Sequence, residues 1–200
     1  MSDGHPAGDA ADDSGGLHVH ARTWLAASAV LLTTGCATGP APVAVPAAEP
    51  VVAPVAAASS GGACRLLDFA VIAKHTGGTF DVAAAVDKGD THTCVVRAEA
   101  ALLPELTLTV TDTSIDTSTF TLDVLPKGAK KITKLGKIAY RRTVPKSGRA
   151  GPGAEVGWLA TEGRLATLRW TCPPGTGATE AEKLTGKLAE LAKVLDTRKL

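Results

Sequence analysis

The sequence predicts an α+β domain: an antiparallel sheet of about five to seven strands, with a short N-terminal helix and an amphipathic C-terminal helix packed on it. Three observations predict it. Leu106, Leu108 and Val110 alternate with Thr107, Thr109 and Thr111, the pattern of a half-buried strand. Leu184, Leu188, Leu191 and Leu195 recur at helical spacing, with Lys183, Lys187, Glu190 and Lys193 mostly elsewhere on the helix. No strand–helix–strand alternation lies between the helical segments, which argues against a parallel sheet.

The elements follow in order. Asp68 is placed to cap a helix over 69–76, and Gly77-Gly78 ends it. Residues 92–99 form the first clear strand. After 106–111, Phe120, Leu122 and Val124 repeat the alternation and predict another strand, as do Ile138, Tyr140 and the residues through Val144. Residues 154–161 and 164–172 flank Glu162-Gly163, which reads as a hairpin turn. Thr179 and Glu182 have the spacing of a capping box and mark the start of the last helix. The threonines from 107 to 121 read as the outward faces of two strands, where Thr is favoured, rather than as sugar attachment sites.

Ahead of the domain lies a different kind of sequence. Residues 24–34 are an uncharged, mostly apolar run of eleven, too short for a bilayer span of about 20 residues but suited to the core of a secretory signal, with Arg22 as its basic flank. Leu31-Leu32-Thr33-Thr34-Gly35-Cys36 follows the order of a bacterial lipobox, although Thr33 stands where an aliphatic residue is usual. This predicts a signal segment over 1–35 and a diacylglyceryl Cys36 as the mature N-terminus, on the outer face of a plasma membrane. Two or more acyl chains anchor stably, whereas one binds reversibly. Residues 1–21 carry Asp3, Asp9, Asp12 and Asp13 with no Lys or Arg, the wrong sign for a signal, so translation is expected to start near Val19. Residues 36–63, punctuated by Pro40, Pro42, Pro46, Pro50 and Pro54, read as an extended tether ending in a flexible Ser59-Ser60-Gly61-Gly62 joint. The domain is then 64–200.

Composition narrows the function. The chain has 200 residues, 21 Lys+Arg against 20 Asp+Glu, and a net charge of +1, which excludes a globally basic nucleic-acid binder. It contains no Asn and no Gln, which excludes N-glycosylation sequons and Cys-His-Asn triads. There is no Gly-x-Ser-x-Gly, Ser-x-x-Lys or phosphate-loop motif. Gly175-Thr176-Gly177 reads as a connection into the last helix. His75 and His92 lack metal-ligand spacing, and neither a metal nor a cofactor is expected. His75 is expected to interact with the last carbonyls of its helix.

With Cys36 acylated, Cys64, Cys94 and Cys172 remain in an oxidising compartment, where one disulfide is expected among three pairings. Cys64 with Cys94 is favoured, linking the start of the first helix to the first clear strand. Cys94 with Cys172 is the alternative; otherwise Cys172, on the strand face of Leu168 and Trp170, is a buried thiol.

One patch is unusual. Between Asp123 and Glu155 there is no acidic residue, but there are nine basic ones: Lys127, Lys130, Lys131, Lys134, Lys137, Arg141, Arg142, Lys146 and Arg149. A solvated face is the plain reading. The functional reading is attraction of Lys130, Lys131, Lys134, Lys137, Arg141 and Arg142 to an anionic lipid surface or wall polymer, each worth about 1 kcal/mol near a charged leaflet.

The lipobox, the Pro/Ala linker, Cys64-Arg-Leu-Leu-Asp68, Thr76-Gly77-Gly78, Cys94, Ile132-Thr-Lys-Leu-Gly136-Lys-Ile-Ala139-Tyr140 and the closing helix together span 24–200. In this order they resemble the actinobacterial lipoproteins of the domain-of-unknown-function family number 3558. The resemblance implies an envelope lipoprotein with a Cys64–Cys94 bridge and no established activity; Cys172 is extra to that pattern. The expected function is a non-enzymatic binding or interaction module of the cell envelope, with a small ligand, wall polymer or envelope protein as partner. The alternatives are a hydrolase-like envelope enzyme, marked by a deep pocket with perturbed titratable groups, and a structural partner, marked by a large apolar patch.

Intact mass spectrometry of the protein extracted from its host's membranes is expected to give a chain beginning at acylated Cys36. Reduction is expected to add about two daltons, for one bridge.

Overall fold

The computed structural model describes residues 56–200; the signal segment, Cys36 and the tether as far as residue 55 lie outside the described residues. Seven strands run β1 (Val82–Lys88), β2 (Thr91–Arg97), β3 (Glu105–Asp112), β4 (Lys130–Ile132), β5 (Ile138–Val144), β6 (Gly153–Leu159) and β7 (Arg164–Thr171). They form one antiparallel sheet in the order β1-β2-β3-β7-β6-β5-β4. Two meanders, β1–β3 and β4–β7, are thus joined where β3 pairs with β7. The α+β class and the strand count agree with the sequence reading.

Alternation assigns the two faces. Leu106, Leu108 and Val110 of β3 lie opposite Trp170, Leu168 and Ala166 of β7, and all six are buried. This face is covered by α1 (Phe69–Thr76) and α3 (Ala178–Val194), which pack on each other, and by a 3-10 turn over Gly62–Leu66. Ile72, Leu188 and Leu191 complete the core there. The opposite face carries Thr107, Thr109 and Thr111, as expected; Thr91 and Thr111 share a hydroxyl hydrogen bond of 3.0 Å. Its β5–β6–β7 side is partly covered by residues 115–129, which bury Phe120 against Tyr140 and Leu159.

The first helix forms as read. The Asp68 carboxylate accepts from the amides of Ala70 and Val71 at 2.8 and 3.0 Å, and Gly77 ends the helix with φ 80°, a left-handed conformation that a side chain disfavours. The Thr76 carbonyl, however, accepts from Lys187 of α3 at 2.8 Å and not from His75. Cys64 and Cys94 form the disulfide, tying the turn before α1 to β2 across a separation of 30 residues, and Cys172 is a buried free thiol.

Four readings are corrected. Phe120–Val124 is a π turn and not a strand: Asp116 caps the short helix α2 (Thr117–Thr119) through the Thr119 amide at 2.8 Å, and the Leu125 amide closes onto Phe120 O. Phe120 is consequently buried while Leu122 is 82% exposed, which no strand alternation allows. Helix α3 begins at Ala178 with Gly177 at its cap, so Thr179 lies inside the first turn and makes no cap, and Glu182 accepts from Lys130 instead. The hairpin strands end sooner, with β6 stopping at Leu159. The packed domain begins before residue 64. Ala57 and Ala63 are buried, and Ser60 donates to the Ala83 carbonyl of β1 at 2.9 Å, so the Ser-Gly joint is part of the domain.

Asp68→Ala removes both amide bonds at the start of α1. It is expected to lower stability by about 1 kcal/mol, read as a lower urea midpoint with an unchanged slope.

Candidate functional site

The basic run folds into the edge of the sheet. Strand alternation splits it: Lys130 and Arg141, paired across β4–β5, point to the helix-covered side, whereas Lys131 and Arg142 point to the other. Lys134 and Lys137 lie in the turn between the two strands and are exposed. Two of the six charges are matched by carboxylates distant in sequence. Lys130 Nζ lies 2.6 Å from Glu182 of α3, and Arg142 Nε lies 2.7 Å from Glu155 of β6. Lys131, Lys134, Lys137 and Arg141 take part in no ion pair among the described residues. The structure therefore gathers the six predicted residues along one edge, but as two neutralised and four free cations.

Two clefts open along this edge. One of about 310 Å³ is lined by Lys127, Lys130, Arg141 and Arg142 with Glu182 as its carboxylate. The second, of about 260 Å³, is lined by Lys131, Arg141 and Lys193 with Glu190. Arg141 belongs to both. Lys130 holds the Glu182 carboxyl below its usual range, and Lys193 does the same to Glu190.

Arg142 takes part in a cluster on the opposite face that sequence reasoning did not find. Glu155 is 5% exposed and accepts from Tyr140 Oη at 2.9 Å as well as from Arg142, with Arg169 of β7 4.0 Å away. The Tyr140 ring lies over Gly157, where a Cβ would run into it. Burial first, and the Glu155 charge second, push the Tyr140 phenol far above its usual value. The signal for this cluster lies in register alone, since residues 140, 142, 155 and 169 sit on three strands.

A third cleft, of about 340 Å³, lies where α1 ends beside α3, with Trp170, Cys172, Pro104 and Leu184 in its wall. Trp170 packs edge-on against Phe80 at 5.1 Å. Burial, then Glu180, pushes the Cys172 thiol up, which keeps it protonated and a weak nucleophile. Among the described residues no group of three or more His, Cys, Asp or Glu side chains is arranged for a metal ion, and no helix is long and apolar enough to cross a membrane. His92 pairs instead with Asp87 across the β1–β2 hairpin at 2.8 Å.

Comparison with protein-family models, with curated proteins and with solved structures gives no match.

Tyr140 is the chain's one tyrosine, so tyrosinate absorbance reports it alone. In the folded protein ionisation is expected well above the usual pKa of about 10. Glu155→Gln is expected to bring it part-way back, because burial remains. Since the unfolded chain releases this proton first, stability is expected to be undiminished by it below about pH 10 and to fall above.

Proposed function

We propose that this chain is a membrane-anchored extracytoplasmic lipoprotein, acylated at Cys36, whose domain is a non-enzymatic binding module of the cell envelope. On this reading the exposed basic edge is the contact surface and the partner is an anionic lipid leaflet or wall polymer. The resemblance of residues 24–200 to the family number 3558 lipoproteins is part of the same proposal. The observation that carries the reading is the disposition of Lys131, Lys134 and Lys137, exposed along one sheet edge and matched by no carboxylate among the described residues.

Binding is favoured over catalysis by the direction in which the perturbed groups move: the shifted carboxyls that line clefts, Glu162, Glu182, Glu190 and Asp196, are all lowered, toward the charged form and away from that of a general acid. Tyr140 belongs to the Glu155 ion-pair cluster, and Asp116, held down to about 2 by Ser118 and Thr119, is a helix cap. Neither lines a cleft with a nucleophile, and the Cys172 thiol is shifted in the unreactive direction. Among the described residues the large exposed apolar side chains are four, Val86, Leu102, Leu122 and Val194, one on each of four segments of the chain.

The full chain carrying Cys36→Ser, so that no acyl group contributes, is expected to bind phosphatidylglycerol vesicles and to release them as salt shortens the screening length below about 10 Å. Reversal of Lys131, Lys134 and Lys137 to Glu is expected to weaken vesicle binding by at least a hundredfold, at about 1 kcal/mol per lysine removed. Unchanged binding by the reversed protein overturns the basic edge as the contact surface.

A further inference from the structure

Arg141 is set apart from the other cations of the edge by how it is held. It sits on the helix-covered side of β5, half-buried, opposite Lys130 of β4 and Val156 of β6. Facing it on α3 is Gly186. A glycine inside a helix is unfavourable by about 1 kcal/mol relative to alanine, and Gly186 adopts no left-handed conformation that would call for glycine. Its local effect is space: a Cβ at this position would lie 3.3 Å from Arg141 Nη1, with no other heavy atom outside its own stretch of helix within 4 Å. The helix is notched where the guanidinium rests.

The carboxylates around that notch already have partners. Glu182 is paired with Lys130, and Glu190 with Lys193 at 2.7 Å. Glu182 and Glu190 are the carboxylates that line the two clefts Arg141 divides, and each is in contact with a lysine, although the Arg141 charge also acts on Glu182. Arg141 is left with a planar fork of donors, partly withdrawn from water, and with Lys127 beside it in one of the two clefts. A guanidinium so placed matches the oxygens of a phosphate group two at a time, a geometry lysine does not offer. Partial burial strengthens each such bond relative to one made in open solvent.

We propose that the notch between β5 and α3 is a phosphate-binding site, with Arg141 as the residue that grips the phosphoryl oxygens and Lys127 as a flanking cation. This rests on the reading of the basic edge as an anion-binding surface and makes it specific: Lys131, Lys134 and Lys137 supply attraction at a distance, and Arg141 supplies the one oriented contact. A phosphodiester is the ligand class, whether presented by a lipid headgroup or by a soluble polymer.

The test separates the notch from the charge. Gly186→Leu fills the seat, changes no charge and favours the helix; Arg141→Gln removes the fork; and Arg141→Lys keeps the charge without it. Each is made in the full Cys36→Ser chain, checked by thermal melting for a native transition, and titrated with phosphatidylglycerol vesicles and, separately, with soluble poly(glycerol phosphate). Gly186→Leu and Arg141→Lys are both expected to lose about tenfold in affinity for at least one of the two probes, and Arg141→Gln at least as much. Loss on the vesicles alone assigns the phosphate to a headgroup, and loss on the soluble polymer alone assigns it to a polymer. If all three variants bind both probes like the unaltered chain while the triple lysine reversal abolishes binding, the notch is not a site and the basic edge stands. If the reversal also has no effect, both proposals fall. A melting transition lost in Gly186→Leu leaves Arg141→Lys, which adds no bulk, to decide.

Discussion

The pairing of β3 with β7 holds the domain together. Every other strand contact joins neighbours in sequence, β1 with β2 and β2 with β3 on one side, β4 through β7 on the other. Only Glu105–Asp112 against Arg164–Thr171 ties the two meanders into one sheet. Closing that distance costs chain entropy before any contact repays it, so this is the slow pairing on topological grounds. The repayment is concentrated in three buried rows: Leu106 with Trp170, Leu108 with Leu168, and Val110 with Ala166. Val156 of β6 and Cys94 of β2 flank the middle row, so the disulfide is anchored in the same layer.

Joining the meanders in this order also decides which strands become edges. β1 is shielded at one end by the Ala57–Ser60 turn, whose Ser60 hydroxyl occupies the Ala83 carbonyl. β4 at the other edge is three residues long and carries two lysines, a short and charged edge of the kind that resists pairing with another sheet. The half-covered outer face is steadied by Tyr140 lying across Gly157 and by the carboxylate of Glu155 held from two sides.

The parts of this fold that were legible in the sequence are those governed by short-range rules. Leu106, Leu108 and Val110 show their face by alternation, Asp68 and Gly77 mark both ends of a helix, and Leu188 and Leu191 mark the buried stripe of another. Strand β1 was illegible because Val82-Ala-Ala-Ala-Val86 has no alternation, although Gly89-Asp90 before Thr91 is a hairpin signal. Phe120, Leu122 and Val124 are too few to separate a period of two from a tight turn. The candidate site was half legible. The run of like charge is plain, but its neutralisation by Glu155 and Glu182 depends on strand register and on where α3 lies. Gly186 alone was there to be noticed, a glycine in the middle of an otherwise strong helix former.

The chain enters the domain at the β1 edge, and the lysine-bearing β4 edge is six strand spacings away, roughly 29 Å across the sheet. From Cys36 to Ala56 the backbone can reach at most about 70 Å. An anchor at Cys36 would thus let the far edge swing down to the surface that holds the anchor. Both attachments would then act on one molecule, and the second would be intramolecular. Linkers of this length give effective concentrations on the order of millimolar. A contact with a dissociation constant of about 1 mM, negligible for the domain free in solution, would then be engaged roughly half the time on the anchored one.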